Sequence, residues 1–144
     1  MGGELDRIAA SRLRHDGQRY TSNRQRLVQV LSAARAPLTI PEIVTGNDGL
    51  AQSSVYRNLA VLERAGVVQR VVTTDEWARF ELAETLTEHH HHLICARCGR
   101  VDDVTLPDRV ERELDATLAR AARAAGFQLD HHRLDLVGRC SDCA

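Results

Sequence analysis

The sequence predicts an α+β protein, with an N-terminal winged helix-turn-helix followed by a small α/β domain. Three observations predict it. Apolar residues recur at helical spacing up to residue 65, and two short β-type runs follow. Strands and one long helix then alternate to the end of the sequence. All four cysteines fall in two CxxC pairs, and six of the seven histidines lie beyond residue 88, so the second part is rich in metal-ligand chemistry.

Ser11 to Asp16 reads as a short first helix. Thr21 is a good N-cap for a helix over Ser22–Ala34, whose apolar stripe is Leu27, Val30 and Leu31. Pro37 ends that segment. Pro41 suits the first turn of a third helix, Glu42 to Thr45, and Gly46-Asn-Asp-Gly49 is a turn cluster. A fourth helix starts at Gln52 or Ser53 and stops at Ala65, with Gly66 just beyond it and Val55, Leu59 and Leu62 on its buried face. The runs Val67–Thr73 and Ala78–Leu82, joined by Thr74-Asp-Glu-Trp77, form a hairpin. Helices followed by a hairpin have the layout of a winged helix, whose fourth helix would enter a DNA major groove. Residues 1–83 make this domain, 84–89 a hinge and 90–144 a second domain. The second domain has strands His90–Cys95 and Arg100–Val104, a helix Asp108–Ala125 and a strand His132–Val137. Its 55 residues cannot bury much core without a metal or a partner subunit.

Net charge is −1, so bulk charge neither demands nor excludes nucleic acid. Its distribution says more. Residues 1–40 hold seven arginines against Glu4, Asp6 and Asp16, as expected of an end that meets phosphates. No apolar run approaches the ~20 residues that span a bilayer, and residues 1–14 are charged throughout, so no membrane association and a cytoplasmic location are expected. In that compartment CxxC pairs are metal-binding or redox-active more often than disulfide-bonded.

Two CxxC pairs forty-odd residues apart suit a closed, structural zinc site with four thiolate ligands, Cys95, Cys98, Cys140 and Cys143. The rival is a redox dithiol, which normally has one CxxC opening a helix. The run His89 to His92 supplies a second argument. On a strand, side chains alternate faces, so His90 and His92 point one way and His89 and His91 the other. One run thus serves two sites. Glu81 could complete the first, and Glu111 with His132 the second. Imidazole and carboxylate donors suit iron, manganese or zinc.

These pieces together resemble the ferric uptake regulator family over nearly the whole sequence. The segments are Arg19-Tyr-Thr-Ser-Asn-Arg24-Gln-Arg26, Ser53-Ser-Val-Tyr-Arg-Asn-Leu59, Ala65-Gly-Val-Val68, Phe80-Glu-Leu82, His89-His-His-His-Leu-Ile-Cys95-Ala-Arg-Cys98-Gly99 and Gly138-Arg-Cys140-Ser-Asp-Cys143. The resemblance implies a homodimer, joined through the second domain, that represses transcription from palindromic operator DNA in response to metal. It implies base contacts from Tyr56, phosphate contacts from Arg57, further contacts from Arg19, Arg24, Ser53 and Ser54, and structural zinc on the four cysteines. Glu81, His90 and His92 match a sensory site. His89, His91, Glu111 and His132 match a second site, with Asp108 a rival to Glu111. Structural zinc and one or two further divalent ions (iron, manganese or zinc) are therefore expected.

Pro37 and Gln69 stand where relatives place further donors, so the fourth sensory position is open. A nitrogen and oxygen set leans towards iron, and iron-type control of metal homeostasis is the leading expectation. Zinc- or manganese-sensing and peroxide-sensing members are the alternatives within the family. A zinc hydrolase is the alternative from another class. It lacks an HExxH motif and leaves the winged helix without a role, so no enzyme is expected.

Overall fold

The structure, a computed structural model, describes residues 2–73 and 75–144, so Thr74 of the expected hairpin loop lies outside the described residues. It divides into two compact units, residues 1–88 and 89–144.

The first unit carries helices α1 (Gly2–His15), α2 (Ser22–Ala33), α3 (Ile40–Thr45) and α4 (Gln52–Arg64). Strands β1 (Leu38–Thr39), β2 (Val68–Val71) and β3 (Arg79–Leu82) form an antiparallel sheet in the order β1–β3–β2. α1 begins well before the expected Ser11. Leu5, Ala9 and Leu13 recur every fourth residue, and the last two are fully buried. That stripe, hidden in the sequence behind the poor helix formers Gly2 and Gly3, docks the helix. Arg12 fastens it further, with Nη1 donating to the Gly66 carbonyl at 2.6 Å and to Thr85 Oγ1 at 2.8 Å.

α2 is capped as its sequence predicts, with Thr21 Oγ1 accepting from the Arg24 amide. α3 starts in a capping box in which Thr39 Oγ1 accepts from the Glu42 amide and Glu42 Oε1 accepts from the Thr39 amide. The strand just before it, β1, is absent from the sequence-based expectation, since two residues carry no periodicity. α4 ends at Gly66, whose φ of 77° is the left-handed conformation a Schellman-type stop needs. Leu27, Val28, Ile43, Val55, Leu59 and Leu62 meet in the core beneath the sheet residues Val68, Phe80 and Leu82. Residues 84–86, expected in the hinge, make one 3-10 turn that packs Leu86 on this core.

The second unit has β4 (His91–Cys95), β5 (Val101–Val104), α5 (Asp108–Ala124) and β6 (Asp135–Gly138). The sheet order is β5–β4–β6. β4 pairs antiparallel with β5 and parallel with β6, and α5 lies in the crossover to β6. β6 starts three residues later than its apolar pattern predicts. Among the described residues of this unit the buried apolar side chains are Ile94, Cys95 and Val101, and none of α5 is buried.

Leu62 is fully buried, so Leu62→Ala should destabilise the first unit by about 2–5 kcal/mol through lost transfer energy and an unfilled cavity. Urea unfolding followed by far-ultraviolet circular dichroism checks this, with a lower midpoint and an unchanged slope expected.

Candidate metal centres and nucleic-acid interface

The four cysteines come from two tight turns. Cys95 ends β4, and Cys98 follows within a turn closed by Gly99 at φ 80°. Cys140 and Cys143 lie just beyond β6, which parallel pairing places beside β4. The four Sγ atoms lie within 4.8 Å of one another, and Cys98 Sγ is 3.7 Å from Cys140 Sγ. A disulfide needs ~2.05 Å. Tetrahedral zinc with Zn–S bonds of ~2.3 Å puts its sulfurs ~3.8 Å apart. The spacing therefore fits zinc and not a bonded redox pair.

The acidities say the same. The amides of Cys98 and Cys140 donate to Cys95 Sγ and hold that thiol down, to about 6. Cys143 is pushed up to about 12, chiefly by sharing a hydrogen bond with the Cys140 sulfur. Four thiolates cannot gather at one point without a cation to offset them.

His89, His91, Glu111 and His132 form a second cluster, again with donor atoms within 4.8 Å. His91 Nε2 lies 2.5 Å from Glu111 Oε1, while His132 Nε2 and His89 Nε2 lie 3.3 and 3.4 Å from Glu111 Oε2. Burial opposes ionisation of Glu111, but His91, His89 and His132 outweigh it and hold the carboxyl below its ordinary value. Glu111 Oε2 is buried without a hydrogen-bond partner. An orphaned carboxylate oxygen facing two imidazole nitrogens fits a divalent cation. Glu111, rather than its rival Asp108, is the α5 carboxylate in this cluster.

His92 on β4 and His90 just ahead of it form the other cluster, separate from that of His89 and His91. The His90 and His92 rings are 5.1 Å apart, and both Nε2 atoms converge on Asp103 Oδ1, at 3.8 and 3.7 Å. Asp103 is the residue sequence reasoning missed. The signal was there in the β4–β5 hairpin, because pairing the strands across the CxxC turn sets Asp103 opposite His92. Glu81 lies on β3 in the first unit and is buried. Gln69 Nε2 donates to Glu81 Oε1 at 2.7 Å, and Gln69 Oε1 accepts from the Glu84 amide.

In the first unit α4 turns Tyr56 and Arg57 outward, with Tyr56 65% exposed. They border a groove shared with Ile40, Pro41, Trp77 and Ala78. Arg19 and Ser53 are also exposed. Arg24 and Ser54 are half-buried and take part in a chain of hydrogen bonds beneath that surface. Arg24 donates to Asn58 Oδ1 at 2.9 Å and to the Arg19 carbonyl at 2.7 Å, and Asn58 donates to Ser54 Oγ. The wing is braced by Asp75, which accepts from both Nη atoms of Arg79, from Thr73 Oγ1 and from the Trp77 amide. These donors, Arg79 foremost, hold the Asp75 carboxyl well below the usual carboxylate range.

Residues 15–137 match the ferric uptake regulator family. The chain belongs to that family. It is 31% identical to the peroxide operon regulator of Bacillus subtilis, over 94% of this chain and 91% of that one. It is 29% identical to the peroxide-responsive repressor PerR of Staphylococcus saprophyticus, over 99% and 98% of the two chains. The ferric uptake regulator Fur of Helicobacter pylori has the same fold, with a TM-score of 0.75 at 23% identity, over 99% of this chain and 93% of that one. As a member of this family the chain carries a zinc-type sulfur site and nitrogen and oxygen clusters able to hold further divalent metal.

Cys95→Ser removes the sulfur that accepts two backbone amides. It should release zinc and unfold the second unit, while the first unit keeps its helices. Zinc content by a colorimetric chelator, with limited proteolysis of residues 89–144, reads both outcomes.

Proposed function

We propose that this family member is a peroxide-responsive, metal-dependent repressor that binds palindromic operator DNA as a homodimer. The observation that carries it is the His90, His92 and Asp103 cluster, a nitrogen and oxygen set kept apart from the cysteines. The sequence alone leads with iron sensing and keeps peroxide sensing as an alternative. Similarity to two peroxide regulators across nearly their full lengths supports the alternative over the lead.

Ferrous iron held by such a set would activate peroxide so that, overall, one peroxide oxygen is transferred to a ring carbon of an adjacent imidazole and the other leaves as water. His90 and His92 are the imidazoles that would bind it and be consumed. Asp103 supplies charge, and this reading takes Glu81 as a further donor from the first unit. The sulfurs stay on zinc, so oxidation at the histidines leaves the second unit folded. An ion with donors from both units favours one arrangement of them by its differential affinity. That arrangement is the one that fits the operator.

A second copy of the chain is the expected cover for the second unit. Phe127, Leu136 and Val137 are 70, 43 and 61% exposed, large apolar side chains that a second copy would cover. Tyr56 would read bases and Arg57 phosphates, with Arg19 and Ser53 beside them. A cytoplasmic location follows from this role. Among the described residues, no helix is long and apolar enough to cross a membrane.

The zinc-loaded protein, given ferrous iron and then peroxide, should release its operator and gain the mass of one oxygen at His90 or His92. Manganese-loaded protein should do neither. Operator binding that follows iron but ignores peroxide would return the iron sensor to first place. Arg57→Ala should weaken binding to all sequences alike and reduce the slope of log K against log salt by about 1, measured by fluorescence anisotropy at several salt concentrations.

A further inference from the structure

We infer that Asp115 and Asp135 are positioning residues that hold His132 and His92 with Nε2 aimed into the two nitrogen and oxygen clusters. The inference rests on reading those clusters as metal sites. His132 Nδ1 lies 2.9 Å from Asp115 Oδ1, while its Nε2 faces Glu111 Oε2 and His89 Nε2, each at 3.3 Å. An ionised carboxylate only accepts, so this contact keeps the imidazole proton on Nδ1 and leaves the Nε2 lone pair for the cation.

His92 has a looser form of this arrangement in the other cluster. Its Nδ1 lies 3.5 Å from Asp135 Oδ1 and its Nε2 lies 3.7 Å from Asp103 Oδ1. Two backbone features build these pairs. Asp115 follows Glu111 by four residues on α5, so one helix face carries the inner carboxylate and the outer one. Asp135 stands opposite His92 in the β4–β6 register.

His91 makes the contrast. Its Nδ1 is buried without a hydrogen-bond partner, so its orientation depends on packing and on Glu111. The Asp115 side chain is 62% exposed, so its removal leaves no cavity. A carboxylate behind a ligating histidine fixes both tautomer and ring angle, and losing it typically lowers metal affinity about 10–100-fold.

The test uses the full-length zinc-loaded protein with Asp115→Ala, Asp115→Asn, Asp135→Ala and Asp135→Asn. Without added metal, long-range proton–nitrogen NMR of the histidine rings should show His132 protonated at Nδ1 in the parent. Asp115→Ala should give a mixture with the Nε2 tautomer, and Asp115→Asn, whose amide oxygen still accepts, should keep the parent state. Manganese affinity is then read by chelator competition, one site at a time, in His92→Ala and His132→Ala backgrounds. Asp115→Ala should weaken only the site containing His132, and Asp135→Ala only the site containing His92, with the asparagine variants recovering most of the loss. Equal losses at both sites, no loss at either, or an unchanged tautomer would overturn the inference. If the parent clusters take no manganese at all, the metal reading fails, and the ring tautomers alone decide whether the two aspartates position the imidazoles.

Discussion

The second unit depends on holding donor atoms together that repel one another or lack partners. Its buried apolar set among the described residues is Ile94, Cys95 and Val101, too little to fold fifty-odd residues. What joins them in the interior is His91 and His92, while of the four cysteines only Cys95 is buried. Each cluster is unfavourable by itself. Backbone amides hold the Cys95 thiol down, while Cys98 and Cys143 are pushed up, Cys143 chiefly by its hydrogen bond with the Cys140 sulfur, so the four thiols do not ionise together. A divalent cation removes that conflict. Folding of this unit and filling of its sulfur site are then one equilibrium, and the nitrogen and oxygen clusters inherit their geometry from a framework already set by zinc.

The first unit is stabilised differently, by an ordinary core, and its polar contacts serve to shape a surface. Arg24, Asn58 and Ser54 form a chain that joins α2 to α4. Asp75 and Arg79 form a second brace at the wing, where Arg79 is buried despite its charge because Asp75 and Thr73 satisfy it. Both braces leave the side chains of Tyr56, Arg57 and Trp77 exposed on a fixed scaffold. Side chains presented in this way lose little further entropy on meeting a ligand.

The parts readable in the sequence were those whose cause is local. CxxC spacing, the Thr21 cap, Gly66 and the alternation of the four histidines each need only a few neighbouring residues. Asp103 and β1 were not readable in that way. Asp103 looks like any solvated aspartate until the β4–β5 register sets it opposite His92. β1 exists only because β3 offers it an edge. Arg24 is the instructive case. Charge and family resemblance cast it as a DNA contact, and the structure adds bonds from its guanidinium to Asn58 and the Arg19 carbonyl inside the domain. Sequence reports a charge, and only the fold reports what the charge faces.

β4 shows why one histidine run can serve two centres without mixing them. It is the middle strand, paired with β5 on one edge and β6 on the other. A slip of one residue would exchange His91 and His92 between faces and break both clusters at once. Pairing on both edges forbids that slip. It also brings up the neighbouring groups, since the donor Asp103 comes from β5, Asp135 behind His92 comes from β6, and the donor His132 sits just ahead of β6. The two centres therefore share one rigid strand but no donor.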